Sequence, residues 1–323
     1  MKNSFAKLSV TYLAVCSSMT GCVYGENKSF FEESTPVVSA IDPVTNVPAS
    51  GPHPVNPAMP DSTSAPTQAP PVAVATPVPT TPPPVVCDPL GSSGTGAQAN
   101  NGIKASLYYF NAEERSPYGV SEVADFFESG HMVNADFFFN TINTPTRYFT
   151  HGFQLPDGSP IEGSDGNLLL ENFAFSFKTS IKLTAGAGIK KKQFAILADD
   201  GANLLVQDPI TGAWTNNVNN DGLHSTRFAC GTKPVAVGSE YQTPIEMQYY
   251  QGPRYYIAAV LVWRDWNGEP SDAWCGSTGD SVFFDSSSSP SVAKEPWLDI
   301  LSRWEVVPAN VMYLEPNVVN PCI

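Results

Sequence analysis

Two adjacent carboxylates, Asp199 and Asp200, stand at a corner between two apolar segments of the chain. Residues 194–198 are apolar and lead into the pair, Gly201 follows it, and a largely apolar segment resumes at residues 202–206. Aspartate is disfavoured in strands, and two neighbouring carboxylates repel each other when both are ionised. A cation such as Ca²⁺, or a dense set of hydrogen-bond donors, would relieve that repulsion. The pair is therefore either the centre of a cation-binding site or a turn.

The charge of the chain limits the classes of partner it can have. Its 323 residues carry a formal net charge of −14. Nucleic-acid binding is excluded because it needs a basic surface, and simple electrostatic docking to anionic lipid is disfavoured for the same reason. The charge is compatible with a secreted domain or with a protein that binds cations.

The N-terminus has the features of a bacterial export signal. A basic start precedes a short apolar stretch at residues 8–15, which is too short to cross a bilayer. The tetrad at residues 19–22 resembles a bacterial lipobox, in which Cys22 would be the lipidated first residue of the mature protein. The prediction is a signal peptide at 1–21 and a lipid anchor in the outer membrane, facing the periplasm or the cell surface. Ordinary cleavage without lipid is the alternative.

A proline-rich segment follows, and we assign residues 22–86 to a disordered stalk. Its Pro, Val, Ala, Thr and Ser residues cannot bury enough apolar surface to fold, and they favour extended polyproline II structure. About fifty such residues at ~3.1 Å each would reach on the order of 150 Å. The segment would hold a folded domain away from the membrane as an inert tether.

Four cysteines remain after the export segment, at positions 87, 230, 275 and 322. An even number of cysteines in an oxidising compartment predicts two disulfides, and three pairings are open. No Cys-x-x-Cys spacing indicates a zinc site. We favour Cys87–Cys322, which would clamp the two ends of the folded domain, together with Cys230–Cys275.

From residue 87 onward the strand signals predict an all-β fold, an antiparallel β-sandwich. Residues 173–177 alternate phenylalanine with small residues, and residues 245–249 alternate large apolar or aromatic residues with polar ones. Residues 256–263 form a continuous apolar run, as expected of a strand that is buried on both faces. Turn signals containing glycine or proline separate these segments. One short helix is predicted at residues 121–127, with Ser121 as its cap.

The order of these landmarks resembles a known family, the β-sandwich domain first described in anthrax protective antigen. The landmarks are the segments 102–109, 173–177, 194–207, 220–224 and 243–263. The domain recurs in bacterial adhesins, in glycosidases and in yeast flocculins. The resemblance covers roughly residues 102–264 and implies a jelly-roll sandwich at 87–264. Residues 265–323 would be a C-terminal extension that packs on it.

The resemblance also implies a site. In the flocculin-type members two adjacent aspartates are joined by a cis peptide bond and hold a calcium ion, and that ion also coordinates sugar hydroxyls. The resemblance implies that Asp199 and Asp200 are this calcium-binding pair. The family's second sugar loop corresponds to residues 250–256, where flocculins place an asparagine on the calcium; this chain has Gln251 as the nearest amide. The predicted carbohydrate ligands in that loop are Gln251, Gly252, Arg254 and Tyr255, and Gln251 is the predicted third metal ligand. A tight hairpin is the alternative for this loop.

Several neighbouring residues are interpreted as structural. Tyr256, Trp214 and Trp263 are predicted to lie in the core, and His224 is predicted to be a hydrogen-bonded core residue. The polar residues 216–221 are interpreted as a flexible loop.

These observations together predict a cell-envelope lipoprotein with a calcium-dependent, lectin-like or adhesin-like domain. Its partner would be a glycan on a cell surface or in the envelope, it would contact the membrane only through its lipid, and its oligomeric state is open. A structural or protein-interaction module, in which the aspartate pair is only a turn, is the alternative. No Gly-x-Ser-x-Gly elbow and no phosphate-binding loop is present, so an enzyme is not predicted.

Overall fold

A computed structural model describes residues 82–92, 98–114, 122–253 and 255–323. The predicted signal peptide, the lipidation site Cys22, most of the predicted stalk and the predicted sugar ligand Arg254 lie outside these residues. The described residues all belong to one compact unit, Ala75–Ile323. None of their helices combines the length and the apolar composition needed to cross a membrane.

The described residues form seventeen strands, two α-helices and two 3₁₀ helices. The strands are β1 (Val85–Cys87), β2 (Ile103–Tyr109), β3 (His131–Met132), β4 (Asp136–Phe139), β5 (Asn143–Tyr148), β6 (Phe173–Ile181), β7 (Ile189–Asp199), β8 (Ala202–Gln207), β9 (Trp214–Asn220), β10 (Arg227–Cys230), β11 (Val235–Gly238), β12 (Thr243–Gln251), β13 (Tyr256–Asp265), β14 (Phe284–Asp285), β15 (Val292–Ala293), β16 (Glu305–Val306) and β17 (Met312–Tyr313). The α-helices are α1 (Val123–Ser129) and α2 (Glu295–Leu301), and the 3₁₀ helices are Ala112–Glu114 and Ala309–Val311.

Two sheets make the sandwich. The nine-stranded sheet has the order β1-β4-β2-β6-β12-β8-β9, with β3 paired to β2 and β17 paired to β6. The six-stranded sheet has the order β10-β7-β13-β16, with β11 paired to β7 and β5 paired to β13. A separate hairpin joins β14 and β15. The predicted all-β antiparallel sandwich is confirmed, with one exception: β1 runs parallel to β4.

The main core lies between the two sheets and follows the strand alternation in the sequence. Phe173, Phe175 and Phe177 of β6 point inward and are fully buried, because successive side chains of a strand face opposite sides. Phe194 of β7 and Leu261 of β13 meet them from the other sheet. The phenylalanine alternation therefore identified one face of the core correctly.

A second core covers the outer face of β7 and β13. Leu197, Val260 and Val262 point away from the main core and pack against residues of the C-terminal extension, including Trp297 and Trp304. The extension also adds β16 to the edge of the six-stranded sheet and β17 to the nine-stranded sheet. The apolar run in β13 is continuous because this strand is buried on both faces.

The short helix α1 packs on the outer face of the nine-stranded sheet. Its Val123 and Phe126 bury Tyr250 of β12 and Ala174 of β6. The helix begins two residues later than predicted, and its N-cap position is Glu122, which makes no side-chain capping hydrogen bond. Ser121, the predicted cap, lies outside the described residues.

Both predicted disulfides are confirmed. Cys87 is bonded to Cys322, with 5.6 Å between their Cα atoms, and Cys230 is bonded to Cys275, with 5.5 Å between theirs. The first joins the two ends of the sandwich across 235 residues of sequence. The second attaches the extension to β10 across 45 residues.

Removing the end-to-end disulfide should destabilise the protein more than removing the other one. The Cys87→Ser/Cys322→Ser protein is expected to lose about 2–4 kcal/mol of unfolding free energy, because the unfolded chain regains the entropy of a long loop. The Cys230→Ser/Cys275→Ser protein lacks a bond that closes a shorter loop, so its loss should be smaller by about 1.5 kcal/mol. Urea unfolding of the two oxidised proteins measures both losses, and an unchanged midpoint for the first would contradict the expectation.

Candidate functional site

The aspartate pair lies at the end of β7, where the chain turns into β8. The peptide bond between Asp199 and Asp200 is cis. Asp199 pairs with Ala258 of β13. Because Leu197 points to the outer face of the six-stranded sheet, Asp199, two residues later in β7, lies on the same face. The two side chains are nearly buried, at 6% and 7% exposure.

Asp199 is held by Thr226, a residue outside the predicted site. Its Oδ2 atom accepts hydrogen bonds from the main-chain N–H of Thr226 at 3.0 Å and from the Thr226 hydroxyl at 2.8 Å. The same N–H also donates to Oδ1 of Asp280 at 3.0 Å. The extension therefore brings a third carboxylate, that of Asp280, beside the pair.

Two main-chain groups hold Asp200. The N–H of His224 donates to its Oδ1 atom at 3.1 Å, and the N–H of Gly252 donates to its Oδ2 atom at 2.8 Å. The second bond joins the Asp200 carboxylate directly to the loop that follows β12. The structure thus brings the two predicted loops together at Asp200 and Gly252.

The surroundings disfavour the ionised form of both carboxylates. Burial, together with the charge of Asp200, raises the pKa of Asp199 to about 8. Burial also raises the pKa of Asp200 to about 6, against the hydrogen bonds from Gly252 and His224, which favour its ionised form. Without a cation, the pair therefore carries less than two negative charges at neutral pH.

Two glycines allow the close approach of chain segments around the pair. A Cβ atom on Gly252 would lie 2.9 Å from Oδ2 of Asp200 and 2.6 Å from Cδ2 of Leu223. A Cβ atom on Gly201 would collide with the ring of Tyr250 and lie 3.0 Å from Oδ1 of Asp221. Larger residues at these positions would push the second loop and the turn away from the carboxylates.

Gln251 lies close to the pair, with its amide directed to other protein groups. The side chain is 1% exposed. Its Oε1 atom lies 3.2 Å from the hydroxyl of Tyr249, which also donates to the main-chain oxygen of Asp199 at 2.8 Å. Its Nε2 atom donates to the main-chain oxygen of Pro253 at 3.4 Å. Tyr249 therefore links Gln251 to Asp199, and the role of Gln251 as a metal ligand stays a prediction.

No protein-family model matches the chain, and no curated protein matches it. Its fold is similar to that of several solved structures. An anti-sigma factor domain-containing protein is 11% identical over 68% of this chain, with a TM-score of 0.36, and the chain spans about half (50%) of its length. The PA14 sugar-binding domain of an RTX adhesin is 13% identical, covering 54% of this chain and 94% of that domain, with a TM-score of 0.32.

The epithelial adhesin 6 A domain from Candida glabrata, solved with Galb1-3GlcNAc, is another similar structure. It is 14% identical, covers 61% of this chain and 91% of its own, and has a TM-score of 0.34. At such identities and scores the similarity carries no information about the function of this chain.

Four structural interpretations from the sequence are corrected by the fold. Tyr256 is not a core residue: its ring stacks on Tyr148 at 4.5 Å, because the neighbouring residue Ile257 takes the inward position. Trp214 is 45% exposed, since it opens the edge strand β9. Residues 216–221 are not a flexible loop, because most of them belong to β9. His224 is half-buried rather than in the core, and its ring nitrogens contact the main-chain oxygens of Ser225 and Asn220.

The remaining predicted ligand of the loop, Tyr255, is accessible. Its side chain is 60% exposed, and its main-chain oxygen accepts a hydrogen bond from Phe149 at 3.1 Å. The ring is therefore presented to solvent three residues after Gly252. Trp263, by contrast, is buried in the main core as predicted.

The donor set around the aspartates fits a hard cation such as Ca²⁺. Carboxylate, amide and main-chain oxygens are its preferred ligands, and the burial that raises the pKa of both Asp199 and Asp200 is a cost that a bound cation would offset. In the part of the chain that the structure describes, no three His, Cys, Asp or Glu side chains form a ready cluster for a metal. Calcium would therefore be held by the two aspartates, with further oxygens from the main chain, an amide or water.

No local sequence pattern pointed to Thr226 or Asp280. Asp280 follows a segment that runs beside β10, where the N–H of Gly279 donates to the main-chain oxygen of Thr226 at 2.8 Å. The Cys230–Cys275 disulfide attaches the start of that segment to β10. These contacts are long-range, and only the pairing of the extension with β10 reveals them.

Proposed function

We propose that the described sandwich is a carbohydrate-binding domain of the lectin or adhesin type that depends on calcium at Asp199 and Asp200. The observation that carries the proposal is the pair itself: two adjacent, nearly buried carboxylates with raised pKa values at the junction of two loops. A divalent cation would compensate both charges there. Such an ion can also bind the vicinal hydroxyls of a sugar, because calcium takes six to eight oxygen ligands.

The neighbouring loop supplies groups that suit a sugar. Gly252 lets the main chain approach Asp200, and the exposed ring of Tyr255 offers a flat face to the apolar side of a sugar ring. Calcium, when bound, would supply the charge that orients the sugar hydroxyls. The protein's own residues position the loop and exclude water from the carboxylates.

The location of the domain is part of the same proposal. Lipidation at Cys22 and a stalk at residues 22–86 would place the domain outside the outer membrane bilayer, facing the periplasm or the cell surface. The net charge of −14 favours a neutral partner such as a glycan over nucleic acid or an anionic lipid surface. The glycan would belong to the envelope or to another cell.

Calcium and glycan titrations test the proposal. The mature protein should release or absorb heat on calcium titration and should bind some members of a glycan array in calcium that it does not bind in EDTA. Asp200→Ala should abolish the calcium heat and the calcium-dependent glycan binding. Asp157→Ala, which changes an exposed aspartate in a turn, should leave both unchanged. Absence of any calcium heat in the native protein would overturn the metal-dependent part, and an array on which no glycan binds better in calcium than in EDTA would overturn carbohydrate binding at the aspartate pair.

The alternative function, a structural or protein-interaction module, is favoured by one observation. Thr226, His224 and Gly252 donate four hydrogen bonds to the two carboxylates, which is also how a purely structural corner would be stabilised. Silence on the array with and without calcium, together with a single protein crosslinked to the domain in intact cells, would support this function instead.

A further inference from the structure

A cleft of about 580 Å³ lies on the outer face of the nine-stranded sheet, away from the aspartate pair. Strands β6, β12, β8 and β9 form its floor and one wall. Glu246 lines this cleft and precedes Gln251 by five residues on β12. Glu246 and Gln251 are therefore about 17 Å apart along the strand, which separates the cleft from the aspartate pair. Its volume is within the range of small-molecule sites, about 300–1,000 Å³.

Strand alternation explains why this sheet face is polar. Phe177 and Met247 point into the main core, so their neighbours Lys178 and Glu246, which are paired across β6 and β12, point outward. Among the residues that the structure describes, no helix or loop fills the space above them, and the cleft is open. Side chains that can donate or accept hydrogen bonds therefore line a sheltered concave surface.

Trp214 forms the aromatic wall of the cleft. It lies at the start of the edge strand β9, paired with Gln207, which also lines the cleft. It is 45% exposed, whereas the other five tryptophans of the chain are buried or half-buried. A tryptophan ring that borders a polar cleft offers a flat apolar face next to hydrogen-bonding groups.

Glu246 is held in a fixed orientation in the floor. Its Oε1 atom accepts hydrogen bonds from the Ser176 hydroxyl at 2.8 Å and from Nε2 of Gln248 at 3.1 Å. Its Oε2 atom faces Nζ of Lys178 at 3.9 Å, and the Glu246 side chain is 15% exposed while that of Lys178 is 59% exposed. One positioned acceptor and one exposed donor therefore lie side by side.

We propose that this cleft is a second carbohydrate-binding site, which acts without calcium. A sugar ring would stack on Trp214, and its hydroxyls would bind Glu246, Lys178 and Gln207. The lining contains one cationic side chain, carboxylates and amides, so it offers both donors and acceptors. A neutral ligand with many hydroxyl groups suits this lining, because each hydroxyl can donate and accept hydrogen bonds. The site does not depend on the function proposed for the aspartate pair, because the two share no residues.

Calorimetry in EDTA tests the second site. The probes are lactose, chitotetraose, cellotetraose and maltotetraose, titrated into the mature protein. At least one should bind, and both Trp214→Ala and Glu246→Gln should weaken that binding by about tenfold or more, the loss expected for one ring face or one charge-assisted hydrogen bond. Leu298→Ala, which shortens an exposed apolar side chain on α2, should leave the affinity unchanged.

The outcomes separate this site from the aspartate site. Asp200→Ala should retain the EDTA-resistant binding even where it abolishes the calcium-dependent binding. If none of the four sugars binds in EDTA, or if a bound sugar is unaffected by both Trp214→Ala and Glu246→Gln, the second site is wrong. Neither result bears on calcium binding at the aspartates.

Discussion

In EDTA at pH 8, the Asp199→Asn protein should unfold at a higher temperature than the native protein, and the difference should shrink toward pH 5. Asp199 is nearly buried beside Asp200, and its pKa is raised to about 8. Near pH 8 the native side chain is therefore forced toward an ionised form that its surroundings disfavour. Asparagine has a similar shape and stays neutral at every pH.

The sign of the effect follows from proton linkage. The folded pKa of Asp199, about 8, lies above the ordinary value of 3.8, so the folded state binds more protons than the unfolded state between those limits. The free energy of unfolding consequently falls as pH rises through this window. Asp200, whose pKa is about 6, adds to the decrease in the free energy of unfolding below about pH 6. The total loss between pH 5 and pH 8 is on the order of 3–5 kcal/mol.

Thermal unfolding at pH 5, 6, 7 and 8, in EDTA and in calcium, measures the effect. Calcium should restore the stability of the native protein at pH 8 and should not stabilise Asp199→Asn. Asp157→Asn is the matched control, because the pKa of Asp157 is lowered by its bonds to Ser159, so its neutral analogue should bring no gain. A native midpoint that is constant from pH 5 to pH 8 in EDTA would contradict the expectation.

The sequence predicted the features that depend on local pattern. The phenylalanine alternation of β6 has a period of two, so it identified a core face directly. The corner at Asp199 and Asp200 was visible because charged residues interrupt two apolar segments. The even number of cysteines and their position at the domain ends led to the Cys87–Cys322 bond.

Other features depend on contacts that no local pattern encodes. The apolar run of β13 is buried on both faces, so it has no alternation to show that Tyr256 points outward. Trp214 is exposed because β9 is the last strand of its sheet, and strand order is a long-range property. Asp280 reaches Thr226 only because the extension pairs with β10. The sequence therefore indicated candidate ligands that lie in two short segments of the chain, and it did not indicate Thr226 and Asp280, which contact the site from elsewhere in the fold.

The C-terminal extension should be indispensable for folding, although the family resemblance ends near Arg264. The middle of the outer face of β7 and β13 is apolar at Leu197, Val260 and Val262, and residues of the extension cover it. Trp304 is one of the residues that cover this face. Its Nε1 atom lies 3.3 Å from Oδ2 of Asp272, and the guanidinium of Arg264 lies 4.4 Å from the centre of its ring. A chain that ends at Arg264 would expose this face and leave that arginine without Asp272, its buried partner.

Two measurements follow from this packing. The protein truncated after Arg264 is expected to show no cooperative thermal transition and to aggregate, because a large apolar surface is left open to solvent. In the full chain, Trp304→Ala should lower the free energy of unfolding by about 3–5 kcal/mol, as for other buried aromatic residues. Leu298→Ala on the exposed side of α2 should change it by less than about 0.5 kcal/mol. A cooperative, native-like transition in the truncated protein would show that the sandwich needs no second core, and the loss on Trp304→Ala should then also be small.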